Sequence, residues 1–91
     1  MSIKDINNIN GWYVLTELAN DILVQVSIMY RKLAFTEKKK EMPNLVLIDD
    51  YIEKSDKSYE LANTPEIFQS KDKMREIINE YSKILDSLIN E

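Results

Sequence analysis

Residues 12–40, WYVLTELANDILVQVSIMYRKLAFTEKKK, decide the fold, because no Gly or Pro interrupts them. Leu15, Ala19, Ile22, Val26, Met29 and Leu33 recur at spacings of 4, 3, 4, 3 and 4. That is the stripe of an amphipathic helix with heptad character. An element of this length spans roughly 43 Å at about 1.5 Å per residue. A strand over residues 22–30 competes, since Ile22, Val24, Val26, Ile28 and Tyr30 alternate. It fails on length, and on Leu23 and Met29 falling on its polar face.

Working outward, Met42-Pro43-Asn44 ends this helix, and Pro43 suits the first turn of the next. Leu45, Ile48, Ile52, Ser55 and Tyr59 form a second stripe to Ala62. Asn63 then fits a left-handed helix terminus. Thr64-Pro65-Glu66 reads as an N-cap, Pro at the first helical position and an acid near the positive end of the helix dipole. From there one helix is expected to residue 90, with Ile67, Met74, Ile78, Tyr81, Leu85 and Leu88 on its stripe. At the other end, Asn10-Gly11 breaks the chain. Residues 1–11 read as an arm or a short fourth helix, capped by Ser2, with Ile3 and Ile6 beneath it. The expectation is an all-α, up-down-up bundle of three long helices (12–41, 44–62 and 65–90) in a single domain of residues 1–91.

Composition agrees. A single Gly and two Pro leave little material for the turns of a sheet protein. There is no Cys and no His, which removes disulfides, thiolate nucleophiles, zinc-finger ligation and histidine general-base chemistry. Ser2, Ser27, Ser55, Ser58, Ser70, Ser82 and Ser87 have no His partner and no Gly-framed elbow. One Gly cannot build a phosphate loop. Neither an enzyme nor a cofactor is expected, and no metal.

The net charge of −4 speaks against non-specific nucleic-acid binding. Trp12 to Tyr30 carries Glu17, Asn20, Asp21 and Gln25, too many polar groups for a membrane span. Lys4-Asp5 followed by Asn-rich sequence does not read as a secretory leader, so a cytoplasmic protein is expected. Twelve Ile, ten Lys and eight Asn against three Ala follow AT-rich codon usage, which points to a low-GC bacterium, plasmid or phage.

Four features bear on function. The first helix is apolar over most of its circumference between residues 22 and 30. It is either central in its own fold or shared with a second copy, in which case Leu15, Ile22, Val26, Met29 and Leu33 would form the seam of a homodimer. Trp12 and Tyr13 are of the kind that anchors interfaces, and also of the kind that plugs a bundle end. Asp49, Glu53, Asp56 and Glu60 fall at i, i+4, i+7 and i+11 and line one helix face. They form either a docking ridge for a basic partner or a solvated face partly neutralised by Lys54 and Lys57. Lys38-Lys39-Lys40 closes the first helix, where cations suit the dipole.

Together these readings anticipate a non-enzymatic, protein-binding helical module: a small regulator or inhibitor of a host protein from a phage or mobile element. An oligomeric structural or adaptor subunit and a bacteriocin self-immunity bundle are the alternatives.

Overall fold

The computed structural model describes residues 10–90. Its elements are α1 (Trp12–Lys38), α2 (Leu45–Ala62), a 3-10 segment (Pro65–Gln69) and α3 (Lys71–Ile89). The chain is a three-helix bundle, as the periodicity predicts.

α1 begins at Gly11, whose extended backbone supplies the first carbonyl acceptor to Leu15 but no capping side chain. It stops at Lys38, where the amides of Lys39 and Lys40 turn back to the carbonyls of Thr36 and Glu37. α2 starts at Leu45, one residue later than the expected 44. Asn44 is the N-cap, its Oδ1 accepting from Leu47 N at 3.1 Å, and Pro43 lies just before the cap. A capping side chain satisfies an amide that proline at the first position leaves bare, so Asn44 fixes the start.

Two sequence expectations are corrected. Asn63 is not left-handed: its φ is −108°, and no described residue has a positive φ. Instead Asn63 Nδ2 donates to the Tyr59 carbonyl and Thr64 Oγ1 to that of Glu60, so side chains satisfy the last turn's acceptors. Nor does one helix run from Pro65 to residue 90. Pro65–Gln69 is a 3-10 segment that carries Ile67 into the core, and the chain then extends at Ser70 (φ −134°, ψ 121°). Ser70 Oγ accepts from Lys73 N at 3.2 Å and Asp72 follows in the first turn, which restarts the chain as α3.

α1 and α2 are antiparallel, since Glu37 reaches Asn44, Ser27 meets Ser55 and Ser58 meets Leu23. α3 runs back alongside α1, with Met74 near Thr16 and Leu85, Asp86 and Ile89 beside Ile22 and Gln25. Nearly all interhelical contact involves α1, while α2 and α3 scarcely meet. This explains the apolar circumference of α1: it is the central helix of its own fold. Leu15, Ala19, Leu23 and Val26 are fully buried and Ile22 nearly so, against Ile67, Met74, Ile78 and Tyr81. The Cα atoms fill a flattened envelope of 48 × 26 × 14 Å. Among the described residues no helix is long and apolar enough to cross a membrane. The proposed arm, with Ser2, Ile3 and Ile6, lies outside the described residues.

Candidate protein-binding surface

The α1–α2 seam is built from small polar residues. Ser27, Ser55 and Ser58 are buried where the two helices meet. Ser55 Oγ donates to the Ser27 carbonyl at 2.8 Å and Ser58 Oγ to the Leu23 carbonyl at 2.6 Å. With its one proton so committed, Ser55 accepts from Ser27 Oγ at 2.9 Å and from Arg31 Nε at 3.0 Å. Arg31 continues across to Asp56 and pairs with it. No buried side-chain polar atom among the described residues lacks a partner. The hydroxyls of the seam are therefore all engaged within it.

The hairpin turn is tied by Glu37, which lies buried at the end of α1. Its carboxylate accepts Lys40 Nζ at 2.8 Å and the Asn44 backbone N–H at 3.1 Å. The hydrogen bond from the Lys40 ammonium, then that from Asn44, holds its pKa below the ordinary glutamate value. Lys40 is raised in turn, chiefly by the same bond. On the side of the seam facing α3, Tyr30 and Tyr51 stack at 6.2 Å. Lys54 stands 5.8 Å over the Tyr30 ring, its pKa raised mainly by Asp50.

On the opposite side of the seam lies an open cleft of about 670 Å³. Its α1 wall includes Ile28, Lys32 and Phe35, its α2 wall Ile48 and Ile52, and Arg31 crosses between them. Phe35 is 59% exposed and Leu45, one turn before Ile48, is 72% exposed. At about 100° per residue, Phe35 points some 160° away from Leu15, so this cleft and the α3 contact occupy opposite sides of α1. Ile28 and Phe35, seven positions apart on α1, are exposed, as are Leu45 and Tyr59 on α2, with the half-buried Ile52 midway between them. Ser27 and Ser55 stand level with one another across the hairpin, so residues whose numbers sum to about 82 share a height. Phe35 thus sits level with Ile48 and Ile28 with Ile52.

The sequence-predicted residues divide cleanly. Asp49, Glu53, Asp56 and Glu60 do share a face and line a shallow depression of about 660 Å³ with Ile52 and Lys57. Ile52 belongs to both this depression and the apolar cleft, so the acids form the cleft's outer bank on α2. Asp56 is engaged by Arg31. Lys32, Asp49 and Glu53 take part in none of the described residues' ion pairs. No group of three or more acids among the described residues is placed to hold a metal ion. Trp12 and Tyr13 are exposed at the start of α1, with Lys71 Nζ 5.2 Å over the Trp12 ring, some 30 Å along α1 from the cleft by the helix rise.

Leu15, Ile22 and Val26, candidates for a self-association seam, are consumed in the protein's own core, and Met29 and Leu33 are half-buried. Those three therefore offer no surface to a second copy, and only Met29 and Leu33 of that seam are partly accessible. The cleft is not legible from the stripe of Leu45, Ile48, Ile52, Ser55 and Tyr59, which the sequence presents as a single helix face. Ile48 and Ser55 turn inward to α1, whereas Leu45 and Tyr59 lean outward. The seven-residue repeat on both helices was the available signal.

Comparison with protein-family models, with curated proteins and with solved structures returns no match for this chain. Its class is defined by its own geometry, that of a three-helix bundle with an uncovered apolar face on its first hairpin.

Proposed function

We propose that this chain is a non-enzymatic helical module that works by binding protein, as a small regulator or inhibitor in a low-GC bacterial host. The observation that carries this reading is the apolar cleft on the α1–α2 hairpin, with Ile28 and Phe35 exposed at heptad spacing on its α1 bank and Ile48 and Ile52 on its α2 wall. Apolar repeats of that period are suited to receiving another helix by knobs-into-holes packing. The flanking charges fix the register of such a contact more than its strength. The Ile-, Lys- and Asn-rich composition supports origin in a phage or mobile element, and the cytoplasm is the compartment in which we place its action.

The same cleft favours one second reading, a helical subunit that self-assembles in a larger structure. A self-immunity bundle remains the third, with no observation of its own.

The test is capture of partners from a low-GC bacterial lysate on the immobilised protein, run beside a Phe35→Glu chain. Phe35 is largely exposed, so the substitution leaves the bundle intact. A protein retained at stoichiometric yield by the parent chain and lost with Phe35→Glu supports the reading. Retention indifferent to Phe35 overturns the assignment of the cleft.

A further inference from the structure

We infer that the occupant of the cleft is a second copy of this chain, docked so that the two α1–α2 hairpins form a four-helix bundle with both hairpin turns at the same end. The inference rests on the reading of the cleft as a protein-binding surface and deepens its self-assembling form, with a host protein as the competing occupant.

Two hairpins can meet face to face about a twofold axis in two ways. With the axis across the helices, α1 lies over the partner's α1 and the turns point in opposite directions. With the axis along the helices, α1 lies over the partner's α2 and the turns coincide. The charges choose between them. The α1 bank is basic, with Lys32 outward of Phe35, and the α2 bank is acidic, with Asp49 and Glu53 outward of Ile52. Lys32 and Asp49 sum to 81, so they stand at one height on opposite banks of the same chain. The axis along the helices therefore carries Lys32 of each copy to Asp49 and Glu53 of the other. Those three residues are outside the ion pairs formed among the described residues. The axis across the helices sets the basic banks against each other, and like charges in apposition are disfavoured.

The apolar layers agree with this choice. At equal heights Phe35 meets the Leu45–Ile48 level of the other copy, and Ile28 meets the Ile52 level. Every neighbouring pair of helices in the resulting bundle is antiparallel, the geometry of up-down-up-down bundles. Met42, Leu45 and Val46 are 89%, 72% and 80% exposed at the hairpin end, and the coincident turns gather them from both chains. A stable dimer draws about 600–1000 Å² from each partner. That is roughly a tenth to a sixth of the 6441 Å² surface of this chain. The hairpin face, about 27 Å long over α2 and about 20 Å across two helices, is of that order.

The experiment is sedimentation of the full chain over a concentration series, with charge-reversed chains and a cross-link. The parent chain is expected to dimerise, and Phe35→Glu to weaken the dimer about 30-fold or more without changing the thermal unfolding of the monomer. Lys32→Glu in one chain and Asp49→Lys with Glu53→Lys in another should each weaken self-association, while an equimolar mixture restores the dimer. Because the chain has no Cys, Met42→Cys gives a single reporter, which should oxidise to an interchain disulfide only if the turns coincide. A parent chain that stays monomeric at high micromolar concentration overturns the inference. So does a dimer indifferent to Phe35→Glu, or a mixture that fails to restore association. If the monomeric chain still captures a lysate protein through Phe35, the dimer falls and the protein-binding reading stands. If that capture too ignores Phe35, both fall.

Discussion

Against α3, the central helix presents Leu15, Ile22 and Val26 to Ile67, Met74, Ile78 and Tyr81. Against α2 it presents Leu23 and Ser27, along with its own backbone carbonyls, to Ser55 and Ser58. The first seam buries large apolar side chains, each worth about 1.5–3 kcal/mol for its removal from water. The second buries hydroxyls, whose hydrogen bonds contribute about 1 kcal/mol each after the loss of water is counted. The contrast separates two tasks within one fold. The α3 seam depends on apolar burial. The α2 seam sets axial register, because a serine hydroxyl reaches one carbonyl and no other, and small residues let the helices approach closely. The registered pair of helices is also the pair that leaves its outer face apolar and open.

Truncations on the two sides should therefore differ in size. Ile78→Ala removes a fully buried side chain from the α3 seam and should cost about 2–5 kcal/mol in a urea melt. Ser58→Ala removes one hydroxyl from the α2 seam and should cost about 0.5–1.5 kcal/mol. Its carbonyl partner belongs to α1 and retains the helix's own acceptor geometry. Equal losses at the two positions would abolish the distinction drawn between the seams.

Glu37 sharpens the comparison through pH. Its folded pKa is depressed by Lys40 and Asn44, so its contribution is complete above the unfolded glutamate value of about 4.3 and is lost as pH falls through the folded value. Glu37→Gln should flatten that acid limb of the stability curve and slightly lower stability at neutral pH, as followed by thermal melts across the range. An acid limb unchanged by the substitution would assign it to other carboxylates.

The smallest effect is expected at the start of α1. Gly11 has a negative φ of −70°, and a Cβ added there meets only Val14 Cγ2 at 3.8 Å, an ordinary contact. Gly11→Ser should supply the missing cap and raise stability by a few tenths of a kcal/mol. A loss of stability there would mean that the serine side chain does not cap α1.

Most of the fold was legible in the sequence. The unbroken stretch from Trp12 to Lys38 and the Pro-containing junctions located the helices to within a few residues, because periodicity and helix-breaking residues are local signals. The break at Ser70 was hidden: Ile67 and Met74 keep a spacing of seven, which a continuous helix and a 3-10 segment followed by a new helix satisfy alike. The centrality of α1 also required tertiary structure, since an all-round apolar helix reads the same whether its neighbours come from its own chain or from another. The acidic bank was visible at i, i+4, i+7 and i+11. Its role as the edge of an apolar cleft was not, because that depends on Ile52 leaning outward while Ile48 and Ser55 lean in.

The dependence of both flanking helices on α1 has a kinetic side. Ser27 and Ser55 are 28 residues apart in sequence, whereas Thr16 and Met74 are 58 apart. Doubling the length of a closed loop costs only about 0.6 kcal/mol in chain entropy. Burying Met74 alone outweighs that difference, so the longer loop does not make the distant seam the less favourable one. Folding in this chain is accordingly governed by where the apolar mass lies along α1, and refolding should follow a single exponential in which Ile78→Ala slows the rate more than Ser58→Ala does.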